Sequence, residues 1–208
     1  MDRERLSEAR FESLWLALGL QGDAGACRQI LADAYGQAGR GYHNLVHLDE
    51  CLEELDRIRD LAVEPTLLEL ALWFHDVVYD ARAADNEERS AELAREVLAK
   101  AGAEPRLIQR VKDLVMVTQH HQAAPGTDDA LMIDVDLSIL GKPWPRFEEY
   151  DRAIREEYAW VPEEIYAVKR REVLQRFLDR ECIYLSEPMR QRYEAQARLN
   201  LERRLSMD

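Results

Sequence analysis

Cysteine is scarce in this chain: Cys27, Cys51 and Cys182 are an odd number without metal-binding spacing, which points to reduced thiols in a cytoplasmic setting. Basic charge is in deficit, with 28 Lys and Arg against 41 Asp and Glu and a formal net charge of −13, which argues against nucleic acid or an anionic membrane as partner. No apolar run approaches the ~18 residues of a membrane span. The start, Met1-Asp2-Arg3-Glu4-Arg5, leads into an amphipathic helix rather than an apolar signal core. Segments of strand length sufficient for a sheet, internal repeats and low-complexity tracts are all missing. Gly36, Gly39 and Gly41 make a loop without the lysine and spacing of a phosphate-binding loop, so they are read as releasing one helix and admitting the next.

What is present is a globular balance, 47% hydrophobic and 33% charged over 208 residues, enough for one domain with a full core. Apolar residues at helical spacing predict helices over about 4–18, 24–38, 42–60, 66–76, 86–101, 105–121, 146–159, 163–181 and 187–205, and 131–141 is a buried apolar run. The helix from Thr66 to Asp76 is apolar almost all round, as expected of a central element. The last three are rich in Arg and Glu at i,i+4 spacing, such as Glu194 with Arg198, and read as solvated faces. The expectation is an all-α protein, a single unit over 1–208, with a core at about 40–142 and C-terminal helices at about 146–205 packed on it.

The five histidines, His43, His47, His75, His120 and His121, all fall in three short polar clusters in helical context. Histidines placed only for packing would not bunch in this way. His43 and His47, four apart, are expected to project from one helix face with Asn44 nearby. His75-Asp76 ends the apolar helix, and an adjacent imidazole and carboxylate can grip one cation together. From His47 to about Asp60 is roughly 20 Å of helix and from Thr66 to His75 roughly 14 Å, so an antiparallel hairpin returns His75 and Asp76 towards His47. In Ile133-Asp134-Val135-Asp136-Leu137 two acids interrupt a buried run, and ionised acids there need a partner such as a cation.

A His, an adjacent His-Asp on a second helix and a distant Asp in an all-α chain resemble the HD superfamily of metal-dependent phosphohydrolases. In detail the chain resembles a bacterial branch with YHNxxH, WFHDxVYD, NExxSA, TxxH and DxDLxxLG motifs, here Tyr42–His47, Trp73–Asp80, Asn86–Ala91, Thr118–His121 and Asp134–Gly141. The resemblance implies an HD-domain helical bundle with an additional C-terminal helical segment. It implies metal ligands at His47, His75, Asp76 and Asp136, with Asp134 the alternative acid. YHNxxH also resembles cyclic-nucleotide phosphodiesterases, in which the first His is general acid and the second binds metal. That implies that His43 protonates the leaving oxygen, and a free imidazole suits the task better than a ligating one.

Two neutral histidines and two carboxylates around one divalent ion sum to zero, whereas a second ion bridged by Asp76 gives +2 and attracts phosphate. The expectation is therefore two divalent ions (Mn, Mg, Ni, Co, Zn or Fe) and a metal-activated hydroxide that cleaves a phosphate mono- or diester of a nucleotide or other small metabolite. Asp76 and His43 are the expected catalytic residues. His120 and His121 are candidates for the second metal or the substrate, and Asn44, Tyr79, Asn86, Glu87 and Asp134 for the pocket. Arg40, Lys142 and Arg155 are candidates for positive charge near phosphate. The competing readings are an HD-fold di-iron oxygenase, which His120 and His121 keep open, and a ligand-binding module that metal only stabilises.

Overall fold

The computed structural model describes residues 4–207; residues 1–3, part of the polar lead-in noted above, and residue 208 lie outside them. Eight helices run from the start of the chain to Glu157: α1 Glu8–Ala17, α2 Ala24–Tyr35, α3 Leu45–Ile58, α4 Pro65–Phe74, α5 Asn86–Lys100, α6 Pro105–His120, α7 Asp128–Asp136 and α8 Trp144–Glu157. Then come α9 Glu163–Leu178, α10 Glu187–Met189 and α11 Ala195–Leu205, the last two joined through a π-helical stretch, Arg190–Glu194, into one rod. Short 3₁₀ segments, Arg59–Leu61 and Leu137–Gly141, follow α3 and α7. No strand occurs among the described residues, as the all-α expectation requires.

Local chemistry sets the helix starts. Ser7, Asp23, Asn44 and Thr127 each accept a backbone N–H at the start of α1, α2, α3 and α7, and prolines open α4 and α6. The capping of α3 corrects one expectation. Asn44 is extended, with φ −128° and ψ −173°, and its Oδ1 accepts from Val46 N, so the helix starts at Leu45 and His43 stands in the turn before it. Asp85 holds the cap position of α5 but makes no capping hydrogen bond.

Helix α4 is the hub, packing on α1, α3, α5, α6 and α7. Every residue from Leu67 to Phe74 is buried. The one acid among them, Glu69, is paired with Arg10 at 2.7 Å and Arg59 at 2.6 Å. Truncating Trp73 or Phe74, each almost fully enclosed, would cost about 3–5 kcal/mol. Helices α3 and α4 form a hairpin, so the start of α3 lies beside the end of α4.

The C-terminal helices are bound down by more than a solvated surface. Asp134 accepts from Leu185 N, Ser186 N and the Ser186 hydroxyl, and the Tyr184 hydroxyl donates to Leu137 O at 3.0 Å. Buried Glu54 takes Lys142 Nζ at 2.5 Å and the Tyr193 hydroxyl at 2.6 Å. The expected pair Glu194–Arg198 forms at 2.8 Å, and both partners also hold the 178–184 turn, Arg198 through its carbonyls and Glu194 through the Ile183 and Tyr184 N–H groups. One contiguous buried cluster extends from Leu6 to Leu205.

Candidate metal centre

Three segments meet at the hub. The first turn of α3 brings His47, the end of α4 brings His75 and Asp76, and the end of α7 brings Asp136. His47 Nε2 and His75 Nε2 lie 3.1 Å apart. Asp76 Oδ2 is 3.1 Å from His75 Nε2 and 3.4 Å from His47 Nε2; Asp136 Oδ1 is 3.3 Å from His47 Nε2 and 3.7 Å from His75 Nε2. Four donors at about 2.1 Å from a tetrahedral ion stand about 3.4 Å from one another, so these spacings match a shared ion. The His75 ring is oriented for it: its Nδ1 donates to Leu72 O at 2.8 Å, leaving the Nε2 lone pair free.

The electrostatics agree. Burial would push Asp76 and Asp136 up, but the surrounding imidazoles, His75 and His43 at Asp76 and His121 and His47 at Asp136, hold both carboxyls well below the usual range. Burial would likewise depress His47 and His75, yet Cys51 and Tyr42 around His47, Asp76 and Tyr35 around His75, and Asp136 beside both raise the two rings well above theirs. The pocket is poised to hold positive charge, and a metal ion can take the place of those protons.

A fifth donor was missed at the sequence level. The ligand atoms of His47, Cys51, His75 and Asp136 all lie within 4.8 Å of one another, and this buried group could hold a metal ion. Cys51 follows His47 by one helical turn on the same face, the signal that could have found it. Its Sγ is 3.7 Å from both ring nitrogens of His47, hence in the plane midway between them and off the axis of the Nε2 lone pair. Asp76 Oδ2 lies nearer His47 Nε2, at 3.4 Å against 3.7 Å for Sγ.

The helix-end histidines separate. His121 sits in the left-handed region with φ 49°, the one non-glycine residue with positive φ among those described, and its Nε2 lies 3.1 Å from Asp136 Oδ2. Asp136 thus faces His47 and His75 with one oxygen and His121 with the other. His120 is exposed and is not among the residues lining the cavity. Asp134 is not brought to the cluster either, since its oxygens are spent on Leu185 and Ser186.

His43 reaches the cluster from the turn, its ring 5.9 Å from that of His47. Its Nδ1 donates to Glu157 Oε2 at 2.8 Å, and Tyr79 stacks on the ring at 4.2 Å while its hydroxyl donates to the same oxygen at 2.7 Å. Glu157 Oε1 takes the N–H groups of Tyr42 and His43. Glu157 lies on a helix with a charged, solvated face, and its hold on His43 comes from packing between segments distant in sequence.

The remaining candidates serve the frame. Asn44 caps α3, and Asn86 bonds both backbone groups of Asp80. Arg40 donates to the carbonyls of His43, Asp76 and Val77, sewing the His43 turn to the His75-Asp76 end. Lys142 is held by Glu54, and Arg155 by Glu163 and two carbonyls. Glu87 does line the cavity above the cluster, and burial together with nearby Asp76 pushes its carboxyl up.

That cavity, about 410 Å³, has Asp76, Asp136, His43 and His121 among its lining. The fold and site define an all-helical protein with a buried His/Cys/His/Asp group able to take a metal ion. Comparison with protein-family models, with curated proteins and with solved structures finds no match to this chain. Among the described residues no helix is long and apolar enough to cross a membrane.

Proposed function

We propose that this chain is a metal-dependent phosphohydrolase of the HD type, acting on a small-molecule phosphate ester. The observation that carries the reading is the union of two arrangements in one cavity: the convergent donors of His47, His75, Asp76 and Asp136, and the separate His43–Glu157 pair. A metal needed only for stability has no use for the second.

A divalent ion held by those four residues would supply a Lewis acid for the phosphoryl oxygen and lower the pKa of a water molecule. His43 carries the proton. With Nδ1 committed to Glu157, its Nε2–H is the group that can protonate the leaving oxygen as the P–O bond breaks and water adds to phosphorus. Glu157 and Tyr79 hold that ring in place. Because Asp136 presents its two oxygens to different histidines, His121 and Asp136 are the residues for a second ion.

The test is metal content of protein purified without chelator, with a phosphate-release screen under Mn, Mg, Ni, Co and Zn. Bound metal and release that vanishes in Asp76→Ala support the reading; absence of metal and of release under every ion ends it. The His121–Asp136 contact favours one second reading, a di-iron centre that consumes oxygen, for which two irons per chain and no phosphate release are the signature.

A further inference from the structure

We infer that the cavity selects phosphate monoesters of a compact apolar or aromatic alcohol and turns away polyphosphates, nucleotides and sugar phosphates; this rests on the phosphohydrolase reading above. The wall opposite the cluster comes from the C-terminal third. Helix α9 lines the cavity along one face, through Tyr166, Arg170, Val173 and Phe177, spaced four, three and four apart. Helix α8 adds Tyr150 and Ile154, and the 3₁₀ segment after α7 adds Leu137, Ile139 and Leu140. Arg and Glu at i,i+4 spacing give these helices a solvated outer face; their inner faces form a largely carbon surface.

Three polar atoms of the lining are enclosed rather than presented to the space. The hydroxyl oxygens of Tyr42 and Tyr166 and Nη2 of Arg170 are shut off from solvent and have no partner, so what the two tyrosines offer the cavity is ring carbon. Tyr42 packs edge-on to Tyr150 at 4.6 Å, and Phe177 edge-on to His121 at 6.0 Å, leaving aromatic surface on two sides. A hydroxyl-rich sugar would lose its water here without regaining hydrogen bonds, at about tenfold in affinity for each unpaired group.

Charge limits the ligand to one phosphoryl group. The lining acids are Asp76, Asp136 and Glu87. Of the lining cations, Arg170 is neutralised by Asp151 at 2.8 Å with its Nη2 enclosed, and Lys169 is exposed, in a surface pair with Glu172 at 2.9 Å that leaves it free to move. A metal ion held at the cluster would bind one phosphoryl group; beyond it the lining sets three acids against the mobile Lys169 alone, too little positive charge for a second and third phosphoryl group. A cavity of about 410 Å³ has room for a phosphorylated ring and more, so the selection rests on the chemistry of its walls rather than on volume.

The test is calorimetric titration of the Mn-loaded full chain with benzylphosphonate and methylphosphonate, whose C–P bonds resist hydrolysis. Benzylphosphonate is expected to bind at least tenfold tighter. Val173→Asp places a charge on the wall at a position 36% exposed and able to tolerate it, and is expected to remove most of that ratio. In turnover, phenyl phosphate is expected to exceed glucose 6-phosphate, 5′-AMP and ATP in kcat/KM. Equal affinity for the two phosphonates, or any of those three outrunning phenyl phosphate, overturns the inference and leaves the phosphohydrolase reading standing. Binding of benzyl alcohol that is lost in Val173→Asp, with no binding of either phosphonate, upholds the apolar cavity and removes the phosphohydrolase reading. No binding of any of these probes overturns both.

Discussion

Replacing Glu157 by Gln changes one atom's chemistry and nothing of the side chain's shape. The carboxylate is fully enclosed and accepts four hydrogen bonds: Tyr42 N at 2.8 Å, His43 N at 2.9 Å, His43 Nδ1 at 2.8 Å and the Tyr79 hydroxyl at 2.7 Å. The amide oxygen can keep the two backbone donors. The amide nitrogen then faces His43 Nδ1 and the Tyr79 hydroxyl, both donors in the native arrangement. Hydrogen bonds to a charged acceptor contribute about 1.5–3 kcal/mol each. With partial recovery, the Tyr79 hydroxyl turning to accept, Glu157→Gln should cost about 2 kcal/mol, or a melting shift of about 4–8 °C for a chain of this size.

The pH dependence adds a signature. Burial pushes the Glu157 carboxyl up, but His43 above all, with Tyr79, outweighs it and holds the group below its ordinary range. A depressed carboxyl contributes stability that is present above the unfolded-state value of about 4.3 and is lost as pH falls through the folded-state value. The gap between wild type and Glu157→Gln should therefore be constant from pH 7 to about 5.5 and narrow below about 4.3. Urea unfolding followed by tryptophan fluorescence across that range reads it. A variant as stable as wild type at pH 7, or a gap that widens on acidification, refutes the reasoning. In the same variant phosphate release should fall about 100-fold or more with metal content unchanged, because His43 loses the carboxylate that accepts its Nδ1–H and aims Nε2 into the cavity.

Three further outcomes are expected. Asp134→Asn should cost about 2–3 kcal/mol in unfolding experiments by weakening the hold on Leu185 and Ser186, while metal content stays at the wild-type value; lost metal would return Asp134 to the ligand set. His121→Ala should lower metal stoichiometry and His120→Ala should not, as elemental analysis can show, since only His121 touches Asp136. A Cβ at Gly41 would run into Ala153 O, so Gly41→Ala should displace the Tyr42-His43 turn, costing about 1–3 kcal/mol in melting experiments and reducing phosphate release; wild-type behaviour in both would show that the turn tolerates the shift.

The helical class and the central place of α4 could be read directly, because apolar spacing is a local property of the chain and the run from Leu67 to Phe74 has no polar face to expose. The residue types for a cation at His47, His75, Asp76 and Asp136 were legible too, since His-Asp at a helix end and acids in a buried run carry a chemical demand wherever they fold. Which neighbour faces the site was a matter of rotation. Asp134 and Asp136 lie about 200° apart around α7, and so face opposite sides, one taking the C-terminal segment and the other the histidines. The left-handed turn at His121 made the same choice between His120 and His121. Contacts distant in sequence belonged to the tertiary structure alone. Glu157 meets the Tyr42-His43 turn across 115 residues, and the inner faces of α8 and α9 become a cavity wall once Asp134, Glu54 and Glu194 have bound the C-terminal helices to the core. Periodicity encodes that a face exists; the packing partner decides what it meets.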